Sequence, residues 1–211
     1  MVDGEVRTVA VVLFDGFELL DVFGPLELFG RFSREFSVTL LGPKTGAVRS
    51  FQGAEVIATS SYADAEVPQI VMVPGGLGTR ALVTDQDFLR WLQRWASGAE
   101  IVTSVCTGSA LLAAAGLLDG YRATSNKRAF DWAATHGGSV EWVAAARWVH
   151  DRDRWTSSGV AAGMDMTAAL LGHLIGSERA QQAADEIELE LHTDPDWDPF
   201  ATPSQREPLH G

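Results

Sequence analysis

The chain has 211 residues, 46% of them hydrophobic and 21% charged, which suits a single domain with its own core and excludes a disordered polypeptide. Its 28 Asp and Glu outnumber 16 Lys and Arg, and the resulting charge of −12 argues against nucleic acid as the main partner. One cysteine excludes an internal disulfide and a cysteine-rich metal site, and it suits a reducing, cytoplasmic compartment.

Met1, Val2, Asp3, Gly4 and Glu5 lack the charge-then-apolar order of a signal peptide. No run of about 18 apolar residues is present, so no membrane span is expected. Residues 8–14 form a continuous β-branched apolar run, the mark of a strand buried on both faces. Residues 19–32 read as a helix, with a break expected at Gly24-Pro25. A second strand is expected over 36–41, and the alternating segment 48–59 reads as a hairpin. A third core strand, 70–73, ends in Pro74-Gly75-Gly76-Leu77-Gly78.

Residues 85–97 are amphipathic, with Phe88, Leu89, Leu92 and Trp95 near one side of a helix. A strand over 101–105 is followed by a helix from 108 to about 117. Ser125 is a reasonable N-cap for a helix over 127–135. Two short strands, 147–150 and 155–157, flank the turn Asp151-Arg152-Asp153. Residues 159–163 lead into a long helix, 164–175, and Ser177 is placed to cap a last one ending near 191. The domain is expected to span 1–193, with 194–211, rich in proline, an irregular and mobile tail. Alternating strands and helices predict a mostly parallel sheet covered on both faces, with ligands beyond the carboxyl ends of its strands.

Three features fall at that edge: the acids Asp15, Glu18 and Asp21 after the first strand, Pro74-Gly75-Gly76 after the third, and Cys106-Thr107 after the fourth. A thiol at a strand-to-helix turn lies near the first free amides of the helix, which is expected to lower its pKa and favour the thiolate. Gly75 and Gly76 let the backbone approach a ligand, and their N–H groups, with that of Thr107, are candidate donors to charge developing during attack. The five histidines show no metal-ligand spacing, so neither a metal nor a cofactor is expected.

Val73-Pro74-Gly75-Gly76, Thr103 to Ser109 around Cys106-Thr107-Gly108, Ala113-Ala114-Ala115-Gly116-Leu117-Leu118-Asp119-Gly120 and the stretch from Thr156 to Asp165 together resemble the ThiJ/PfpI superfamily. The resemblance covers residues from about 7 to about 191. It implies a flavodoxin-like three-layer sandwich, a nucleophile elbow at Cys106 and a homodimer, for which the apolar region 17–29 is a candidate surface.

Thr107 stands where peptidase-like and deglycase-like members carry histidine. Cys-Thr-Gly, with Leu20-Asp21-Val22-Phe23-Gly24-Pro25, instead resembles the isonitrile hydratase branch. That likeness implies hydration of a small isocyanide, with Cys106 as nucleophile, Asp21 as acid and base, and Thr107 beside the sulfur. Glu18 is the competing acid. Ser125-Asn126-Lys127 replaces the Thr-His-Trp of relatives, so Asn126 is a candidate binding residue. The same Cys-Thr-Gly pattern occurs in regulators with an appended helix-turn-helix, for which no segment is left here. The alternative readings are a redox sensor acting through oxidation of Cys106, and a glyoxalase or deglycase-like hydrolase.

Overall fold

The structure is a computed structural model that describes residues 6–206. The readings that fall on residues 1–5, on Pro208 and on His210 lie outside the described residues. In chain order the elements are β1 (Arg7–Val12), α1 (Leu19–Gly30), β2 (Phe36–Gly42), β3 (Gly46–Arg49), β4 (Glu55–Ala58), β5 (Ser60–Ser61), β6 (Ile70–Val73), α2 (Thr79–Leu82) and α3 (Gln86–Ala96). There follow β7 (Ile101–Ser104), α4 (Gly108–Ala114), β8 (Arg122–Ala123), a 3-10 turn (Lys127–Ala129), α5 (Phe130–Ala133), β9 (Glu141–Trp142) and β10 (Trp148–Asp151). The last are β11 (Arg154–Ser157), α6 (Ala162–Ile175), α7 (Ser177–Glu186) and α8 (Pro203–Arg206).

Seven strands make one sheet in the order β10-β11-β7-β6-β1-β2-β5, parallel except for the β10–β11 hairpin. Strand β6 (Ile-Val-Met-Val), in the middle of the sheet, is buried on both faces because it carries no polar side. Two helical groups, α1–α6–α7 and α2–α3–α4, cover the sheet, which makes the α/β sandwich. In register, Val11 pairs with Met72 and Val73 with Ser104, so β1, β6 and β7 end side by side. The loops beyond those ends meet, and the candidate site sits there.

The sequence misjudged several ends. Helix α1 runs straight through Gly24-Pro25 although Pro25 has no N–H for the Asp21 carbonyl. Packing overrides that loss: a Cβ at Gly24 would lie 2.7 Å from Met164 Cγ, so the glycine lets α1 close on α6. Helix α7 stops at Glu186, with Glu188 at φ 54 turning the chain away. The strands β8 and β9, two residues each, carry no pattern long enough to read.

The stretch 194–206 is mostly irregular, and Asp198 docks it on the domain. Asp198 is 1% exposed and faces the Arg147 guanidinium at 3.6 Å. Arg147 also holds Asp165 at 2.6 Å, while its backbone N–H donates to the Pro195 carbonyl at 2.7 Å. A buried cation between two buried carboxylates is the anchor. Replacing Arg147 with Met leaves both acids without their partner and is expected to lower the unfolding free energy by about 3–5 kcal/mol. Urea denaturation reads this, and a loss below about 1 kcal/mol, the size of an exposed pair, would contradict it.

Candidate active site

Cys106 follows β7 by two residues and opens the turn into α4. Its φ is 57, the left-handed region that residues other than glycine rarely adopt. Three hydrogen bonds hold it there. Its N–H donates to the Ser158 carbonyl at 3.0 Å, and its carbonyl accepts the hydroxyls of Ser109 and Ser125, each at 3.1 Å. Ser125 therefore serves the elbow, and Asn126 takes the expected N-cap role, accepting the N–H groups of Arg128 and Ala129 at 3.0 and 3.1 Å.

That capping orients Asn126. With its oxygen committed, its NH2 faces the Cys106 sulfur, which also receives the backbone N–H groups of Thr107 and Val160. Gly159 lies so close to the Asn126 amide nitrogen that any Cβ there would overlap it. Val160, at φ 31, is itself left-handed, which aims its N–H. Sequence reasoning missed Val160; the only signal was a glycine just past a strand end.

Asp21, in the first turn of α1, is fully buried beside the sulfur. Its Oδ2 accepts the Gly75 N–H at 2.8 Å. Its Oδ1 accepts no N–H or O–H from the described residues, although it is buried. Glu18 is turned to Gln52, whose side-chain NH2 donates to its Oε1, and Asp15 is exposed. Of the three acids after β1, Asp21 is the one brought to Cys106.

Gly75 and Gly76 do not have free amides, contrary to expectation. The Gly76 N–H donates to Thr107 Oγ1 at 3.1 Å, and the Thr79 hydroxyl meets the same oxygen at 3.2 Å. These glycines hold the Asp21 and Thr107 side chains in place instead. A Cβ on Gly75 would lie 2.6 Å from the Thr107 nitrogen and 2.9 Å from the Cys106 Cβ, so only glycine fits. Lys127 points away from the site: its ammonium donates to Thr124 Oγ1 at 2.8 Å and to the Ala146 carbonyl, and burial lowers its pKa to about 8.

The expected low thiol pKa is overturned. Burial, then the adjacent Asp21 charge, push Cys106 up to about 12, and the donors from Thr107, Val160 and Asn126 offset only part of this. Helix α4 has seven residues, a short dipole to set against burial. Burial raises Asp21 to about 7, helped by the charge of Glu18 and opposed by the Gly75 N–H. Near neutrality, then, the sulfur keeps its proton while Asp21 is divided between acid and carboxylate. Among the described residues no group of three or more His, Cys, Asp or Glu is placed to hold a metal ion. A cleft of about 820 Å³ among Phe14, Tyr62, Phe88 and Trp91 is not lined by Cys106.

The model of the DJ-1/PfpI family matches residues 7–173. The chain is 33% identical over 190 residues to an isonitrile hydratase from Pseudomonas putida, covering 90% of this chain and 81% of that protein. It is 30% identical to the transcriptional regulator GbdR of Pseudomonas aeruginosa, over 86% of this chain and 49% of the regulator. Among solved structures, a ThiJ/PfpI family protein from Pseudomonas syringae superposes with a TM-score of 0.81 at 28% identity, over 97% of this chain and 84% of that one. DJ-1beta of Drosophila melanogaster, at 21% identity and a TM-score of 0.76 over 88% of this chain and all of its own, shares the fold.

The raised pKa of Asp21 has a consequence for stability. Between the ordinary value of 3.8 and about 7, the folded state binds its proton more tightly than the unfolded chain does. Stability therefore falls as pH rises through that window. Asp21→Asn is expected to abolish this slope and to stabilise the protein above pH 7 by roughly 2–4 kcal/mol. Thermal melts across pH check it; a variant as steeply pH-dependent as the wild type would contradict the assignment.

Proposed function

The chain belongs to the DJ-1/PfpI family, and on that premise we propose that it is a cysteine-dependent hydratase, adding water to an isocyanide to give an N-substituted formamide. One observation carries the reading. A buried carboxyl of pKa about 7 has one oxygen fixed by Gly75 and the other accepting no N–H or O–H from the described residues, next to a thiol that keeps its proton. That pair suits a reaction in which one proton must leave sulfur and arrive on carbon.

In this mechanism the Asp21 carboxylate takes the Cys106 proton as sulfur bonds to the isocyanide carbon, and then delivers it to that carbon. The product is a thioimidate. Water next attacks the same carbon: one of its protons reaches nitrogen through Asp21, and the carbon–sulfur bond breaks. The second water proton returns to sulfur, and the carbon–oxygen double bond of the formamide forms. The hydrogen-bond donors of Thr107, Val160 and Asn126 stabilise the sulfur whenever it carries charge. A carboxyl near neutrality is suited to act first as base and then as acid. A redox-sensing role fits less well, because oxidation follows thiolate character and this thiol is held protonated.

The functional unit in this reading is a cytoplasmic homodimer. Phe17 and Phe29 of the expected apolar surface are core residues, while the exposure of Leu20 and Phe23 on α1 supports a contact with a second copy there. Sedimentation should find a dimer and should find Phe23→Glu monomeric; a wild type that sediments as a monomer would contradict this.

Purified protein is expected to convert cyclohexyl or aryl isocyanides to formamides, with kcat/KM rising with pH through about 7 as Asp21 ionises and then levelling. Cys106→Ala should abolish turnover, and Asp21→Asn should reduce it by at least about 100-fold. Loss of the isocyanide at the same rate with and without protein would sink the proposal.

A further inference from the structure

Arg80 lies in α2, immediately after the turn that holds Asp21 and Thr107. Its neighbour Thr79 is buried and hydrogen-bonded to Thr107 and to the Gly76 carbonyl, at 3.2 and 2.7 Å, so the segment is pinned to the elbow. The Arg80 guanidinium lies over the Trp132 ring, 3.3 Å from its centre, in the stacked arrangement that suits this side chain. It is near enough to Cys106 for the charge on sulfur to act on it. His136, which packs edge-on against Trp132 at 4.9 Å, has its pKa lowered by burial and by the charge of Arg80.

The guanidinium has no work inside the protein. No carboxylate of the described residues pairs with it. None of its N–H donors reaches an acceptor among the described residues, and the residue is exposed. A guanidinium fork over an aromatic ring, its donors without an acceptor among the described residues, matches a carboxylate in charge and geometry. Asp21 and Glu18 keep the sulfur side of the site acidic, so a substrate anion belongs at the end remote from the reacting carbon.

We propose that Arg80, held over Trp132, determines specificity at this site, and that the substrate carries a carboxylate at the end remote from the carbon attacked by Cys106. As a statement about isocyanides this rests on the hydratase reading; as a statement about small electrophiles reaching Cys106 it stands without it. Alkylation separates the two. Iodoacetate and iodoacetamide both transfer a CH2 group to sulfur with loss of iodide, and they differ in charge at the position where a charge feels Arg80.

Their second-order rates at Cys106, followed by intact mass at low salt, give a ratio. In Arg80→Met the iodoacetate-to-iodoacetamide ratio is expected to fall about fivefold, and less so at high salt. A ratio unchanged within about twofold, or a wild-type Cys106 that neither reagent labels, would overturn the proposal. In parallel, wild type should prefer 4-carboxyphenyl isocyanide to 4-methylphenyl isocyanide. If neither isocyanide is hydrated while the alkylation ratio still falls, the hydratase reading fails and the anion site stands.

Discussion

The left-handed backbone of Cys106 is the constraint on which the rest of the site depends. A non-glycine residue in that region costs about 1–2 kcal/mol, and it persists only where the surroundings over-determine it. Here they do so from three sides. Ser158, at the end of β11, takes the N–H, and Ser109 and Ser125 take up the carbonyl. The carbonyl of Arg147, residue-neighbour to β10, accepts the Ser158 N–H at 2.8 Å. The buried Asp165–Arg147–Asp198 cluster is thereby two hydrogen bonds from the reactive cysteine, which links the docked C-terminal stretch to the geometry of the elbow.

What this conformation presents is a thiol beside a carboxyl, both withdrawn from water. Burial disfavours the charged form of each, and a charge on one disfavours a charge on the other. The pair therefore resists carrying two negative charges at neutral pH. In the mechanism we propose, activation of the sulfur is a proton transfer to Asp21, made when an electrophile arrives, rather than a standing ionisation. The surrounding donors cannot reverse that balance at rest, but they are fixed where charge would develop during attack.

The fold was legible because β1 and β6 contain unbroken apolar runs and helix α3 is amphipathic, patterns set by burial itself. The positions of Cys106, Asp21 and the two glycines were legible for a related reason: in a parallel sheet, loops that follow neighbouring strands must meet. Their energetics were not. The thiol pKa depends on how much water the site admits and on which acid faces it, and both are tertiary quantities. Gly75 and Gly76 were read as donors to a ligand because their commitment to Asp21 and Thr107 joins residues 54 and 31 positions apart. Val160 and Arg80 were missed for the same reason, since each acquires meaning only from what packs across from it.

Infrared titration of the resting protein tests the placement of the shared proton most directly, since the S–H stretch and the carboxylic C=O stretch report the two sites separately. With isotope-free wild type compared against Cys106→Ser and Asp21→Asn to assign the bands, the S–H band should persist through neutral pH while the carboxylic band fades near pH 7. A site that has lost its S–H band at neutral pH and kept a protonated Asp21 would hold a standing thiolate, and would contradict this picture of the chemistry.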